Sequence, residues 1–200
     1  MLPSDDMASQ IRRLGDAESG QRERAATEIF QRGLELARAT TEQWLADVEL
    51  AALLVTGETQ APEATVGLAV ERQNFLRIRI ANGSPRLADV PPDQDAEEFE
   101  LHFGQGVRLD VLTTKDPQGA GVIARFLQKF GEGIQQIELL VRDVDRATDI
   151  LHKRYGVDPI YPQTRAGADG TRVNFFLAPT PQGKKVLIEL VEAAAKPRSE

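Results

Sequence analysis

Two hundred residues fit one or two domains and are enough to bury a core. Cysteine is absent, which excludes disulfides, thiolate metal sites and a cysteine nucleophile. A net charge of −7 argues against nucleic acid as a partner, because affinity for a phosphate backbone comes from clustered Lys and Arg. No apolar run approaches the roughly 20 residues that cross a bilayer. The start, Met1-Leu-Pro-Ser-Asp-Asp6, lacks the basic and apolar regions of a signal peptide. A cytoplasmic location with no membrane partner is the expectation.

Residues 5–56 read as helical. Ile11 and Leu14 precede a turn at Gly15-Asp16, then Ala25 with Ile29 and Ala26 with Phe30 lie four apart on the next helix. Leu34, Leu36 and Ala37 extend that face beyond Gly33, and Trp44, Leu45, Val48, Ala51, Ala52 and Val55 give a further stripe. The polar stretch Thr56–Pro62, bounded by Gly and Pro, reads as a linker, and Val66–Val70 follows as a strand. Residues 72–82 stay open between two forms: Leu76, Ile78 and Ile80 alternate like a strand, while Phe75 with Ile78 and Arg79 suits a helix that Asn82-Gly83 would end. Asp89–Asp95 is an acidic, proline-containing loop. Phe99–Phe103 and Val107–Leu112 alternate cleanly and, joined by Gly104-Gln105-Gly106, predict a hairpin. Residues 120–130 predict a short helix with Ile123, Phe126, Leu127 and Phe130 on one side. A strand over 134–141 precedes an amphipathic helix from Asp145 to Tyr155, which Gly156 stops. A strand near Ile160, a hairpin strand at Arg172–Leu177 and a last strand at Lys185–Glu192 complete the chain.

Strand, helix and three strands thus recur, at about 64–114 and 134–192. The stretch from Gly131 to Asp145, with Asp169-Gly-Thr-Arg-Val-Asn-Phe-Phe176 and Gly183-Lys-Lys-Val-Leu-Ile-Glu-Leu190, resembles the vicinal oxygen chelate superfamily, and its methylmalonyl-CoA epimerases most. The resemblance implies an α+β fold of paired βαβββ modules, glyoxalase-like, closing around a cleft over residues 61–200, and it favours a helix for 72–82. Residues 1–60 would form a helical N-terminal extension. Within it, Ile11 to Ile29 resembles a HEAT-type repeat, a short helix, a Leu-Gly-Asp turn and a second helix. One such unit cannot bury its own face, so it is expected to pack on the following domain rather than to stand free as a recognition module.

In that superfamily four strands supply the ligands of a divalent ion. The matching positions here are Thr65 where the family has His, Asp110 where it has Gln or Glu, Gln136 where it has a second His, and Glu189, which is retained. Imidazole supplies much of the affinity of such sites for zinc, cobalt, nickel or iron. An oxygen-only set suits a harder ion, yet Mg²⁺ and Ca²⁺ normally want six or more oxygens. No cofactor is therefore expected, with a divalent metal as the alternative, and Thr65, Asp110, Gln136 and Glu189 are expected to form a polar ligand-binding cluster. The two histidines, His102 and His152, fall at none of these positions.

Two functions compete. One is a glyoxalase-like protein that binds a small carbonyl or carboxylate compound in its cleft. The other is a lyase or isomerase of the epimerase type, in which the resemblance assigns proton removal and return to a glutamate pair. Glu189, flanked by Leu187 and Val191, suits that role because desolvation raises a carboxylate pKa. Glu100 is the best match for its partner, with His102 two residues on. Without a metal, Arg108, Arg172 or a backbone N–H would have to stabilise an enolate. Thr65, Gly67 and Ala69 share a face and leave room for a ligand or for close packing. Of Gln135 and Gln136, alternation sends only Gln136 to the cleft. A homodimer is expected, through module edges or through Trp44, Leu45 and Val48.

Overall fold

A computed structural model describes residues 4–57, 61–180 and 185–194. Three helices open the chain, α1 (Ser4–Leu14), α2 (Ser19–Leu45) and α3 (Val48–Leu53). The corner between the first two is fixed locally: Asp16 accepts from the Glu18 N–H at 2.9 Å, and the Arg22 guanidinium donates to the carbonyls of Asp16 and Ala17. Asp47 restarts the chain as α3 by accepting from the N–H groups of Glu49 and Leu50, which satisfies two donors that a helix start leaves orphaned.

The rest is β1 (Ala64–Ala69), α4 (Arg72–Ala81), β2 (Glu97–His102), β3 (Arg108–Thr113), α5 (Val122–Phe130), β4 (Gly133–Val141), α6 (Val144–Tyr155), β5 (Arg165–Ala166), β6 (Arg172–Pro179) and β7 (Lys185–Glu192). Residues 72–81 are helical, and Gly83, at φ +81°, turns the chain away as the sequence requires. One mixed sheet runs β2-β3-β1-β4-β7-β6-β5. Each half pairs its first and last strands in parallel, β1 with β3 and β4 with β7, and an antiparallel β1–β4 ladder joins the halves. The protein is therefore an α+β structure of two related modules behind a helical N-terminal region.

The first module has one strand fewer than the second. Residues 84–96 run irregularly, since Pro85, Pro91 and Pro92 remove ladder donors there. In the second module the strand expected near Ile160 is displaced. Pro159 makes only an isolated bridge to Phe176, Pro162 follows, and the pairing resumes as the two-residue β5. Residues 58–60 of the linker and Gly183-Lys184 of the last motif lie outside the described residues. The linker's flanks are pinned to β4, by Val55 N–H to the Leu140 carbonyl at 2.9 Å and Leu140 N–H to the Glu63 carbonyl at 3.0 Å.

Alternate residues of the strands face the helices. Val66, Leu68, Leu109, Ile137, Leu139, Ile188 and Leu190 are buried with Ile11, Ala25, Ile29, Phe75 and Ile150 in one continuous core. The N-terminal helices are thus packed on the sheet and share its core. Gly33 allows the contact: a Cβ there would sit 2.4 Å from a Val66 methyl. Trp44, expected as part of a dimer contact, is instead buried, edge-to-face on Phe176 with centroids 6.3 Å apart; Leu45 and Val48 are exposed. The helical period breaks at Asp47, so the stripe read across 44–55 is not one face.

The sheet curls until its edges meet. Ala88 N–H donates to the Glu98 carbonyl at 3.0 Å, laying the 84–96 loop along β2. The same loop reaches the far edge: Asp169 N–H donates to the Asp89 carbonyl at 3.0 Å, Arg86 grips the Asp169 carboxylate at 3.0 and 2.7 Å, and Gln94 donates to the Ala166 carbonyl at 3.1 Å. The 84–96 loop thus ties the two edges of the sheet together within one chain. Among the described residues, no helix is long and apolar enough to cross a membrane.

Candidate functional site

The concave face of the sheet encloses a cleft of about 890 Å³. Strand alternation decides what points into it. On β7, Leu187, Glu189 and Val191 line the cleft while Ile188 and Leu190 face the helices, and on β4 the cleft receives Gln136 and Glu138. Register brings these together, with Glu138 opposite Glu189 on neighbouring parallel strands. Gln136 joins them, its Nε2 donating to Glu189 Oε2 at 2.6 Å and to Glu138 Oε1 at 3.1 Å. Gly67 makes this geometry available, because a Cβ there would lie 2.4 Å from Gln136 Cγ. The space left by the small residues of β1 is thus filled at this point by Gln136 itself.

On β3, Asp110 lines the opposite wall, 6% exposed, and its Oδ1 has no hydrogen-bond partner. Burial pushes its pKa well above the usual carboxylate range, and the surrounding carboxylates of Glu98, Glu138, Glu100 and Glu189 push the same way. Glu189 is raised well above its ordinary value for the same first reason, then by Glu138 and Glu98. Desolvation and neighbouring carboxylates bring Glu98 and Glu138 to about 7, although the hydrogen bond from Gln136 works against the rise at Glu138.

Of the four positions matched to metal ligands, Asp110, Gln136 and Glu189 line this cleft. Thr65 is buried on the same face, paired in register with Glu138, but does not form part of the wall. Glu100 lies at the mouth, with a side chain 56% exposed and 2.8 Å from His102 Nε2. Arg108 and Arg172 are engaged outside the cleft, Arg108 with Glu63 at 3.0 Å and Arg172 with Asp145 and Glu192. The arginines of the cleft wall are Arg125 and Arg165.

Gln135 corrects a second expectation. The β1–β4 ladder slips between Gly67 and Leu68, so a bulge turns Gln135 as well as Gln136 toward the cleft. Sequence reasoning gave Glu98 no role, reading it with Glu100 and His102 as the solvated face of a hairpin, and passed over Glu138. Both were findable by period two, Glu98 from Glu100 and Glu138 from Gln136.

The divalent ion that the superfamily resemblance implies can be tested against these donors. Imidazole is missing, Gln136 spends its amide N–H groups on the two carboxylates nearest it, and among the described residues no three His, Asp or Glu side chains are grouped to hold a metal ion. The residues do not fit that ion.

Comparison with solved structures places this arrangement. The methylmalonyl-CoA epimerase of Mycobacterium tuberculosis superposes with a TM-score of 0.54 at 31% identity, over 72% of this chain and 95% of its own. The chain belongs to the vicinal oxygen chelate superfamily. A protein from Bacillus halodurans C-125 matches at 25% identity and a TM-score of 0.54, over 68% of this chain and 96% of its own. A variant of the Streptomyces coelicolor epimerase in complex with 2-nitronate-propionyl-CoA, at 24% identity and a TM-score of 0.50, covers 68% of this chain and 99% of its own and shows the shared fold. No family model matches the chain, and no curated protein sequence matches it.

Proposed function

We propose that the protein binds a small organic molecule in the cleft and moves a proton on it through carboxyl groups, an isomerase- or lyase-type reaction. The observation that supports this most is the placement of Glu98 and Glu189. They approach one cleft from opposite arms of the curled sheet, from strands with β3, β1 and β4 between them. A bound carbon acid lying between them has a base on one side and an acid on the other. Glu98, raised to about 7, suits proton transfer, which is most effective when the pKa lies near the working pH, and burial raises Glu189 in the same direction. Asp110, buried in the wall with its Oδ1 unpartnered among the described residues, is placed to hydrogen-bond the bound molecule beside the reacting carbon. Gln136 positions Glu189 and Glu138.

The epimerase neighbours act on methylmalonyl-CoA, but the substrate does not transfer with the fold. Nine carboxylates and two arginines line this cleft, which opposes an acyl group bearing a carboxylate and a phosphorylated carrier. The test is hydrogen–deuterium exchange by NMR at carbons next to the carbonyl in a panel of small ketones and aldehydes. Exchange accelerated by the protein and abolished in Glu189→Gln and Glu98→Gln, both still folded, is the expected result. Exchange that the substitutions leave unchanged would refute the proposal. So would stoichiometric divalent metal in the purified protein that disappears in Glu189→Gln.

A further inference from the structure

We infer that the ligand of this cleft carries a positive charge, an ammonium or amidinium group on a small apolar frame. The inference rests on the cleft being a small-molecule site, and names its chemistry. Four carboxylates lie deepest, Glu98, Asp110, Glu138 and Glu189, and none is in an ion pair among the described residues; the nearest donor is the neutral amide of Gln136. One of the two arginines is already spent, since Arg165 pairs with Asp93 at 2.6 Å and lies over the Tyr161 ring at 4.5 Å.

The second observation is independent of charge. Among the described residues, the buried cleft-wall side-chain atoms left without partners are Asp110 Oδ1 and Gln135 Oε1, and both residues are more than nine-tenths buried. An unpaired buried polar group is costly, and what these two share is that they accept. An ammonium or amidinium group brings several N–H donors and a charge of the required sign. The remaining wall separates an organic cation from a bare ion. Leu112, Phe175, Leu187 and Val191 line the same space, and apolar surface of this kind rewards carbon and gives nothing to a hydrated metal. An incoming carboxylate or phosphate would meet a wall of nine carboxyl groups and two arginines, one of them already paired.

The experiment compares butylamine, butylguanidine and 1,4-diaminobutane with the uncharged 1-butanol and the anionic butyrate, using the full chain at low ionic strength and slightly alkaline pH. Magnesium, calcium and zinc chlorides are tested alone. The readouts are calorimetric binding and the unfolding midpoint. Saturable binding of at least one cation is expected, at least tenfold tighter than for 1-butanol or butyrate. It should weaken at least tenfold in Asp110→Asn and in the Glu138→Gln/Glu189→Gln double variant. Equal binding of 1-butanol or butyrate overturns the inference, as does amine binding that survives in both variants. Absence of binding by all three cations, or saturable metal binding lost in the double variant, overturns it too. Proton exchange on an uncharged ketone with no amine binding would sink the cation alone, whereas loss of both would sink the parent proposal.

Discussion

The two faces of one sheet, built from alternate residues of the same strands, have opposite characters. On β4, Ile137 and Leu139 face the helices while Gln136 and Glu138 face the cleft; on β7, Ile188 and Leu190 oppose Glu189. The helix side removes apolar surface from water and supplies most of the folding free energy at roughly 25 cal/mol per Å². The cleft side removes carboxylates from water and costs stability unless they are protonated or matched by a donor. The contrast shows that this fold keeps stability and chemistry two residues apart in sequence and one sheet thickness apart in space.

The largest effect should come from the helix side. Trp44→Ala or Phe176→Ala should lower stability by about 3–5 kcal/mol, measured by denaturant unfolding. A loss well under 1 kcal/mol would mean that α2 is not integral to the core. Gly67→Val probes the seam between the faces. The new side chain must displace Gln136, and the expected loss is about 1–3 kcal/mol, together with loss of whatever activity depends on Glu189. Retained activity would show that the Gln136 bridge is dispensable.

On the cleft side the sign reverses. Glu138 is raised from 4.5 to about 7 on folding, so the folded state binds its proton more tightly than the unfolded chain does. Its favourable contribution is present below pH 4.5 and is lost as the pH rises through about 7. Glu138→Gln should therefore stabilise the protein at pH 8 by up to about 3 kcal/mol, the full conversion of that shift, and flatten the fall in stability between pH 4.5 and about 7. Stability of the wild type that is independent of pH over that window would contradict burial of the carboxylates. The smallest effect concerns the clasp at the rim. Arg86→Ala should leave the unfolding midpoint nearly unchanged, as exposed ion pairs do, while speeding hydrogen exchange at the amides of Asp89 and Asp169.

Much of this was legible in the residues. Period-two alternation located β2, β3 and β7 and aimed Glu189 correctly. Gly156 ends α6 in the left-handed conformation, as its place after Tyr155 predicts. The errors have physical causes. Gln135 was misassigned because a bulge changes side-chain parity, and nothing in a run of two glutamines announces one. Trp44 read as surface because a capping Asp47 was taken as part of a continuing helix. The resemblance points to Glu100, which lines the cleft together with Glu98, and only the curl of the sheet decides which of the two lies deeper. The pairing of Arg86 with Asp169, 83 positions apart, left no trace in local sequence.

The length and placement of α2 carry a further consequence, for the order in which the chain acquires structure. Its 27 residues make a rod of about 40 Å. Its partners include Phe176 and the carbonyl of Pro179, which accepts from Thr40 at 3.4 Å across 139 positions. During synthesis the helix therefore leaves the ribosome long before the strands that shelter its apolar side exist. At roughly 5–20 residues per second, that side waits on the order of ten seconds in water. Closure of such distant contacts is also the slow part of folding. The most vulnerable species of this protein is a nascent chain with α2 formed and β6 not yet made, a form that a holdase chaperone would recognise through Trp44 and the residues around it.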